Sequence, residues 1–266
     1  MYKIKYPLKK NLKEIKLFFK LKKLDEILSS NHDSIKKVNE MIQIKPYGPD
    51  IKDLYQLYSY VIKNKRTTIL EFGSGWSSLV FALALSELKK KYFKKTESLR
   101  RNNLFELFIL ENEKKYLNIT KKRIKKLKKK LKLNIKVNYN FSAAYMTSFN
   151  NRICTKYQKL PLCNPDFIYL DGPDQFNIKG SVNGVSTRHN DMMPMTSDIL
   201  SIEHFLTPGT IIISDGRAAN VKFLKDNFQR KWAYKHDVKN DQHMFCLKDP
   251  LLGKYNKNQV KFYSQV

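Results

Sequence analysis

Residues 69–78 constrain the fold more than any other part of the sequence. They read ILEFGSGWSS, so an apolar run ends in two glycines and is followed by the apolar stretch SSLVFALALSEL. Glycine permits the tight turn that joins a strand to a helix, and it lets a ligand approach the main chain. The amides of the first helical turn have no intrahelical acceptor and would face that ligand. The segment therefore predicts a strand, a ligand-binding turn and a buried helix.

Strand candidates and helix candidates alternate along the chain after residue 65. The strands are expected at TTILEF, LFELFILE, NIKVNYNF, DFIYLD and GTIIISD, and a late hairpin at WAYKHDV and HMFCLKD. Such alternation favours a parallel sheet with right-handed crossovers and helices on both faces. We therefore predict an α/β three-layer sandwich with N-terminal helices, whose mostly parallel seven-stranded sheet ends in an antiparallel hairpin.

The first 45 residues are rich in lysine and carry apolar residues at helical spacing. This pattern predicts an N-terminal basic helical extension over residues 1–49, followed by the α/β domain over 50–266. The sequence KPYGP marks the boundary, and Asp50 can cap the next helix. Amphipathic helices usually pack on a core, so this is the favoured interpretation. A helix that contacts a membrane surface or a partner is the alternative. The apolar positions are Leu12, Ile15, Phe18, Phe19, Leu24, Ile27 and Leu28.

The chain carries 51 Lys and Arg against 24 Asp and Glu, a formal net charge of +27. This excess favours anionic partners such as nucleic acid or anionic lipid. Codon bias in an AT-rich genome explains it equally well, so charge alone identifies no partner. The three cysteines show no metal-ligand spacing, and the basic N-terminus lacks the apolar region of a secretory signal. With no apolar stretch long enough to span a membrane, we expect a cytoplasmic protein.

The glycine turn differs from a dinucleotide-binding turn. Ser78 stands where the G-x-G-x-x-G pattern requires its third glycine, which disfavours pyrophosphate and hence NAD or FAD. The sequence E-F-G-S-G resembles motif I of the class I S-adenosylmethionine (SAM) dependent methyltransferases. The resemblance implies SAM as the cofactor. It implies that Gly73 and Gly75 line the methionine portion, that Glu71 helps to hold its amino group, and that Trp76 and Ser77 contact the cofactor at the helix start.

A second acid follows at the end of the next apolar strand. Glu111 ends LFELFILE, where a carboxylate can accept two ribose hydroxyls. The resemblance implies this role for Glu111, although Glu106 and Glu113 are close competitors because an insertion lengthens the gap from the glycines. After the third strand, Ser142 and Ala143 stand where the family contacts adenine, and small residues there suit a flat ring.

The fourth strand delivers Asp171 to the same edge of the sheet, where the resemblance implies that it also contacts the cofactor. The surrounding PDFIYLDGP resembles the fourth motif of the family, but D-G-P-D differs from the N-P-P-Y or D-P-P-Y of enzymes that methylate amino groups of bases. Asp215 ends the next strand in the same way. Two such acids could hold a divalent cation, but hard cations want more oxygen ligands than these supply. Gly216 also replaces the asparagine of metal-dependent relatives. A divalent cation is therefore not favoured, and no metal ligand is assigned.

A long polar loop between these two strands contains His189 and Asp191. Long loops in compact domains are often functional, and a histidine can take a proton from a hydroxyl nucleophile. Candidate catalytic residues are thus Asp171, His189 and Asp215, with Asp171 or His189 as the base. The remaining histidines, His204, His236 and His243, are expected to be structural, because no metal-ligand spacing joins them.

These features predict O-methylation of a small-molecule or sugar-containing acceptor. An RNA methyltransferase is the first alternative, because the chain is so basic. A non-catalytic module that keeps the fold for binding or for peripheral membrane contact is the second, since fold alone does not fix function. An NAD-dependent oxidoreductase is the least favoured. The sequence leaves the oligomeric state open.

Overall fold

The computed structural model of the chain describes residues 2–30 and 48–264. Its strands are β1 (Thr68–Phe72), β2 (Glu106–Glu111), β3 (Lys136–Phe141), β4 (Ala144–Phe149), β5 (Arg152–Tyr157), β6 (Phe167–Leu170), β7 (Ile178–Lys179), β8 (Ile211–Asp215), β9 (Trp232–Asp237) and β10 (Gln242–Leu247). Its α-helices are α1 (Leu12–Leu21), α2 (Asp25–Ser29), α3 (Ile51–Lys63), α4 (Trp76–Thr96), α5 (Lys114–Leu131), α6 (Asp198–Ile202), α7 (Ala218–Asn227) and α8 (Gly253–Ser264).

Seven strands form the main sheet, in the order β3-β2-β1-β6-β8-β10-β9. The first five of these are parallel, whereas β10 runs antiparallel to both β8 and β9. The parallel strands need helical crossovers, which the alternating sequence supplies. The hairpin of β9 and β10 needs only a short turn. The predicted α/β sandwich, with a mostly parallel seven-stranded sheet and a terminal antiparallel hairpin, is confirmed.

Two apolar layers cover the sheet. On one face, side chains from α3, α4, α5 and α8 pack together, with Val61, Val80, Ile124 and Val260 among them. The other face is covered by α6, α7 and the second, smaller sheet. Because both faces are buried, the central strands are mostly apolar, as expected for parallel strands. Their charged residues stand at or near the strand ends.

The smaller sheet, in the order β5-β4-β7, was not expected from the sequence. Its strands mix buried, half-buried and exposed residues rather than forming apolar runs, and β7 has only two residues. The segment after β3 looked like a cofactor-contacting loop, but the chain continues through Ser142 and Ala143 directly into β4. This sheet lies over the face that carries Phe72 and Leu170, and Tyr157 from β5 packs against Phe72.

The N-terminal helices pack on α3, on one face of the main sheet. Ile15, Phe19 and Ile27 are buried in the same apolar cluster as Leu57 and Val61 of α3. This packing agrees with the favoured interpretation of the lysine-rich segment. Most of the predicted boundary at KPYGP lies outside the described residues, so the division at residue 49 stays a prediction. Among the described helices, none is both long enough and apolar enough to cross a membrane.

Candidate active site

Gly73 holds the ends of three strands together. Its amide donates to the carbonyl of Leu110 at 2.8 Å, and the amide of Asp171 donates to the carbonyl of Phe72 at 2.9 Å. Its φ of +96° is rarely adopted by residues with a side chain. A Cβ atom there would also lie 3.0 Å from the backbone of Asp171. Glycine is therefore required at this position by both conformation and space.

Gly172, which follows β6, packs closely against Gly73. A Cβ atom at Gly172 would lie 2.5 Å from the amide nitrogen of Gly73 and 2.7 Å from the hydroxyl of Tyr157. Gly75 is different, because its backbone is extended and nothing lies within 4 Å of the place where a Cβ would stand. The turn is thus closely packed below Gly73 and open in front of Gly75. A ligand has room to approach the main chain there.

Glu71 lies buried directly beneath this turn. Its carboxylate accepts hydrogen bonds from Ser77 Oγ at 2.5 Å and from Ser78 Oγ at 2.6 Å. Burial raises the pKa of Glu71 to about 8, although the two hydroxyls oppose the shift. Glu71 therefore ties the end of β1 to the first turn of α4. The predicted contact with the SAM amino group stays a prediction.

Trp76 and Ser77 begin α4, and their side chains are buried. The guanidinium of Arg123 from α5 lies over the Trp76 ring, with Cζ 3.7 Å from the ring centroid. Since the Ser77 hydroxyl is used by Glu71, what these residues can offer a ligand is the main chain at a helix start. Their cofactor contacts stay a prediction.

Glu111 is 2% exposed and ends β2 beside the glycine turn. It accepts hydrogen bonds from Ser74 Oγ at 2.7 Å and from the amides of Asn112 and Glu113 at 2.8 and 2.9 Å. Burial raises its pKa to about 7. The competing Glu106 lies at the opposite end of β2, 3.2 Å from Lys136 Nζ. Glu111 is thus the carboxylate of β2 that borders the turn.

Glu113, the other competitor of Glu111, accepts from the Lys115 amide at 2.9 Å and so caps α5. The adenine candidates follow β3. The Ser142 amide donates to the carbonyl of Glu111 at 3.0 Å, and the Ser142 hydroxyl accepts from the Lys159 amide at 2.9 Å. Ala143 is half-buried beside it. The fold therefore brings Ser142 next to Glu111, and the adenine contact itself stays a prediction.

Asp171 follows β6, and its side chain is 53% exposed. Arg217 approaches it from the segment after β8: Nη2 donates to the carbonyls of Asp171 and Pro173 at 2.8 and 3.0 Å, and Nε lies 3.8 Å from Asp171 Oδ1. Arg217 thereby fixes the chain that leaves β6. The Asp171 carboxylate keeps access to the crevice at the carboxyl ends of the strands.

Asp215 ends β8 next to β6, as predicted, but it has a partner that the sequence did not reveal. Its carboxyl group is hydrogen-bonded to Asp53 in the first turn of α3. Burial and the repulsion by Asp53 raise the pKa of Asp215 to about 9. Burial and the repulsion by Asp50 raise the pKa of Asp53 to about 7, although its hydrogen bond with Asp215 opposes the shift. The pair therefore retains a proton at neutral pH. In the sequence, Asp53 was indistinguishable from a first-turn acid that favours the helix dipole.

His189 is 66% exposed in the long loop after β7. Its Nδ1 accepts from the Asp191 amide at 3.3 Å, and the Asp191 carboxylate lies 3.8 Å away. Gln175 Nε2 donates to the His189 carbonyl at 3.1 Å and so ties the loop to the segment that follows β6. These contacts are local, and the catalytic role of His189 stays a prediction.

Two residues of the glycine-turn region were missed by the sequence analysis. Ser74 lies between the two glycines and bonds Glu111, but a serine in a turn carries no specific signal. Tyr157 comes from β5 of the unexpected second sheet. Its hydroxyl is buried next to Gly172 and makes no hydrogen bond within residues 2–30 and 48–264. Tyr157 could be found only through the tertiary fold.

Strands β3, β2, β1, β6 and β8 are parallel, and β10 runs antiparallel between β8 and β9. This is the mostly parallel sheet with a terminal antiparallel hairpin that the sequence predicts. The carboxyl ends of β1, β2, β6 and β8 form one edge, and Gly73, Glu111, Asp171 and Asp215 meet there. This edge is where open α/β sheets bind their ligands.

No protein-family model matches the chain, and no curated protein matches it. Among solved structures, the chain is similar to an O-methyltransferase from Bacillus cereus in complex with SAH, with 15% identity and a TM-score of 0.41 over 84% of this chain and 100% of that one. It is also similar to the O-methyltransferase TomG from Streptomyces achromogenes, involved in tomaymycin synthesis and in complex with SAM. There the identity is 10% and the TM-score 0.41, over 84% and 89% of the two chains.

Proposed function

We propose that this chain is a SAM-dependent methyltransferase. The observation that supports this most is Glu111, a buried carboxylate that ends β2 beside a glycine turn which is open in front of Gly75. Glu111 accepts three hydrogen bonds from the protein. A carboxylate has about four acceptor positions, so it retains capacity for a ligand hydroxyl.

The residues around the turn fit SAM. The ribose hydroxyls would be held by Glu111, the methionine portion by the main chain at Gly73 and Gly75, and the adenine by Ser142 and Ala143. When bound, SAM supplies a methyl group that is already activated by its sulfonium. The protein then has to align the acceptor and remove its proton.

Asp171 suits the removal of that proton better than Asp215 does. The Asp171 carboxylate is half-exposed at the crevice. The pKa of Asp215 is raised to about 9, so at neutral pH it carries the proton that it shares with Asp53. Asp215 would therefore donate a hydrogen bond rather than accept a proton. His189 is the second candidate for the base.

The acceptor that we propose is a hydroxyl group of a small molecule or a sugar-containing compound. The supporting feature is Asp171-Gly172-Pro173-Asp174, which lacks the pattern expected for amino-group methylation of bases. RNA is the alternative acceptor, favoured by the net charge of +27. The two differ in their dependence on salt, because RNA affinity that rests on phosphate contacts falls steeply as salt is added.

Calorimetric titration with SAM and SAH tests the cofactor. We expect the unmodified chain to bind both, and Glu111→Gln to bind about 30-fold more weakly, since hydrogen bonds to a charged group contribute about 2 kcal/mol. Glu106→Gln is the matched control, because Glu106 lies on the same strand at the far edge of the sheet. Binding of NAD in place of SAM by the unmodified chain would overturn the proposal.

Transfer of labelled methyl groups then tests the acceptor and the base. With fractionated small molecules, glycans and RNA offered separately, we expect label in a hydroxyl-bearing small molecule or glycan. Asp171→Asn should lower kcat by 10²-fold or more with SAM affinity unchanged. If His189→Ala lowers kcat instead, His189 is the base. If no fraction takes up label although SAM binds, the chain is a non-catalytic binding module.

A further inference from the structure

Two histidines and an aspartate meet at the hairpin of β9 and β10. His236 and His243 are directly opposite one another in the antiparallel register, and their rings stack with centroids 4.0 Å apart. Asp241 lies in the turn between the strands. Its Oδ1 is 3.6 Å from His236 Nε2 and 3.9 Å from His243 Nε2. One ligand atom from each of the three residues therefore lies within 4.8 Å of the others.

His243 contributes a buried nitrogen that has no hydrogen-bond partner. The residue is 3% exposed, and its Nδ1 is hydrogen-bonded to the hydroxyl of Tyr234 at 2.9 Å. Its Nε2 is buried and makes no hydrogen bond with any residue that the structure describes. Buried polar atoms nearly always have a partner, so one without a partner calls for an explanation. This nitrogen faces the Asp241 carboxylate and the cluster.

We propose that His236, Asp241 and His243 bind a divalent transition-metal ion of the zinc class. Two imidazole nitrogens and one carboxylate oxygen are the donors that Zn²⁺ and its neighbours prefer, whereas Mg²⁺ and Ca²⁺ prefer sites made of oxygens alone. Three protein ligands leave a fourth position for water. Tyr234 orients the buried ring, because a ligating imidazole usually donates its second N–H to an oxygen.

The geometry needs only small movements to accept the ion. Bonds of about 2.0 to 2.1 Å in a tetrahedral site place ligand atoms roughly 3.3 Å apart. The present separations from Asp241 are 3.6 and 3.9 Å. His236 and Asp241 lie at the exposed end of the hairpin and can close onto the ion, while His243 is fixed by burial.

This site is separate from the pair of strand-end acids considered in the sequence analysis. It adjoins them through Gly216, whose amide donates to the carbonyl of Asp241 at 3.1 Å, one residue after Asp215. A bound ion would therefore tie the hairpin to the edge of the crevice. The proposal does not depend on SAM binding or methyl transfer, so its test can fail or succeed independently of them.

The test is titration of the chelator-treated full chain, without a polyhistidine tag, with Zn²⁺ by calorimetry and with Co²⁺ by visible absorption. We expect one ion per chain and the absorption of a Co²⁺ ion with nitrogen ligands and fewer than six ligands. His236→Ala and Asp241→Asn should each weaken binding at least tenfold. Tyr234→Phe should weaken it about tenfold, because groups that hydrogen-bond a metal-ligating imidazole have effects of that size. The Co²⁺ spectrum should be lost with His236→Ala.

His204→Ala is the matched control, since His204 is paired with Gln229 at 3.1 Å outside the cluster. It should bind as the unmodified chain does. His236 and Asp241 are exposed, so their variants should keep the thermal unfolding midpoint of the metal-free chain. The proposal is overturned if the unmodified chain binds no Zn²⁺, or if His236→Ala binds Zn²⁺ and Co²⁺ as tightly as His204→Ala.

Discussion

The two halves of the crevice edge hold their acids in opposite ways. At the glycine turn, Glu71 and Glu111 are buried, but each accepts short hydrogen bonds from nearby serines or amides. At the end of β8, Asp215 faces another carboxyl group, that of Asp53, with Asp50 and Asp171 adding further repulsion. The first region stabilises its carboxylates with serine hydroxyls and main-chain amides, and all of these donors except Ser74 lie within seven residues of the acid that they bond. The second stabilises a proton between acids that are far apart in sequence.

The difference indicates that the two regions have different roles. At the glycine turn the hydrogen-bonding needs of both acids are met, and the main chain in front of Gly75 is left open. At the end of β8 the acids repel one another, so this region can change its protonation with pH. Strained or unsatisfied polar groups of this kind are concentrated at functional sites.

The largest expected effect is that of Gly172→Ala on the glycine-turn region. The new methyl group would overlap the Gly73 amide and the Tyr157 hydroxyl. We expect the free energy of unfolding to fall by about 3 kcal/mol, as for other overpacked sites. Urea denaturation measures it. Gly75→Ala, with an extended backbone and open space, should change stability by less than about 0.5 kcal/mol. Equal losses in both variants would show that the turn is not closely packed.

The next effect concerns the acidic pair and depends on pH. The pKa of Asp215 is raised to about 9 in the folded chain from an ordinary value near 4. The folded state therefore binds more protons, and stability falls as pH rises between these values. Asp215→Asn removes this loss, so at pH 8 the variant should be more stable than the unmodified chain by at least about 2 kcal/mol.

At pH 4 the two proteins should be alike in urea denaturation, because the Asp215 carboxyl group is then neutral in the folded chain. Asp226→Asn is the control, since Asp226 forms an exposed pair with Lys222 at 3.1 Å. The free energy of unfolding of this control variant should equal that of the unmodified chain at both pH values. A stabilisation by Asp215→Asn that is equal at pH 4 and pH 8 contradicts the shared proton.

A smaller loss is expected when Glu71 is deprived of one donor. Ser77→Ala removes a 2.5 Å hydrogen bond to the buried carboxylate and should lower the free energy of unfolding by about 1.5 kcal/mol. The pKa of Glu71 should rise above about 8, as followed by carboxyl NMR titration. Ser201→Ala, which removes only an exposed local bond of 3.4 Å, should leave both quantities unchanged. An unchanged Glu71 pKa in Ser77→Ala would refute the role of that hydroxyl.

The smallest effect on stability is expected for Ser74→Ala. Glu111 keeps its two main-chain donors, so the free energy of unfolding should change by less than about 0.5 kcal/mol. Its pKa should nevertheless rise above about 7, because the lost hydroxyl stabilises the carboxylate. Carboxyl NMR titration measures this shift. A loss above about 1 kcal/mol would mean that Ser74 helps to build the turn.

The sequence by itself determined the main sheet and the places of Gly73, Glu111, Asp171 and Asp215 on one edge. Each follows an apolar run, and parallel strands bring their carboxyl ends together whatever the details of packing. These inferences needed only local patterns: periodicity, glycine positions and strand-end acids.

Only the tertiary structure decided which residues from distant parts of the sequence contact these strand ends. Asp53 reaches Asp215 because α3 crosses the sheet there, and Tyr157 reaches Gly172 because half-polar strands form a second sheet. His236 and His243 have no metal-ligand spacing in the sequence, yet they become neighbours through the register of a hairpin. Contacts between distant segments depend on the angles and registers of whole elements, and no local pattern encodes these.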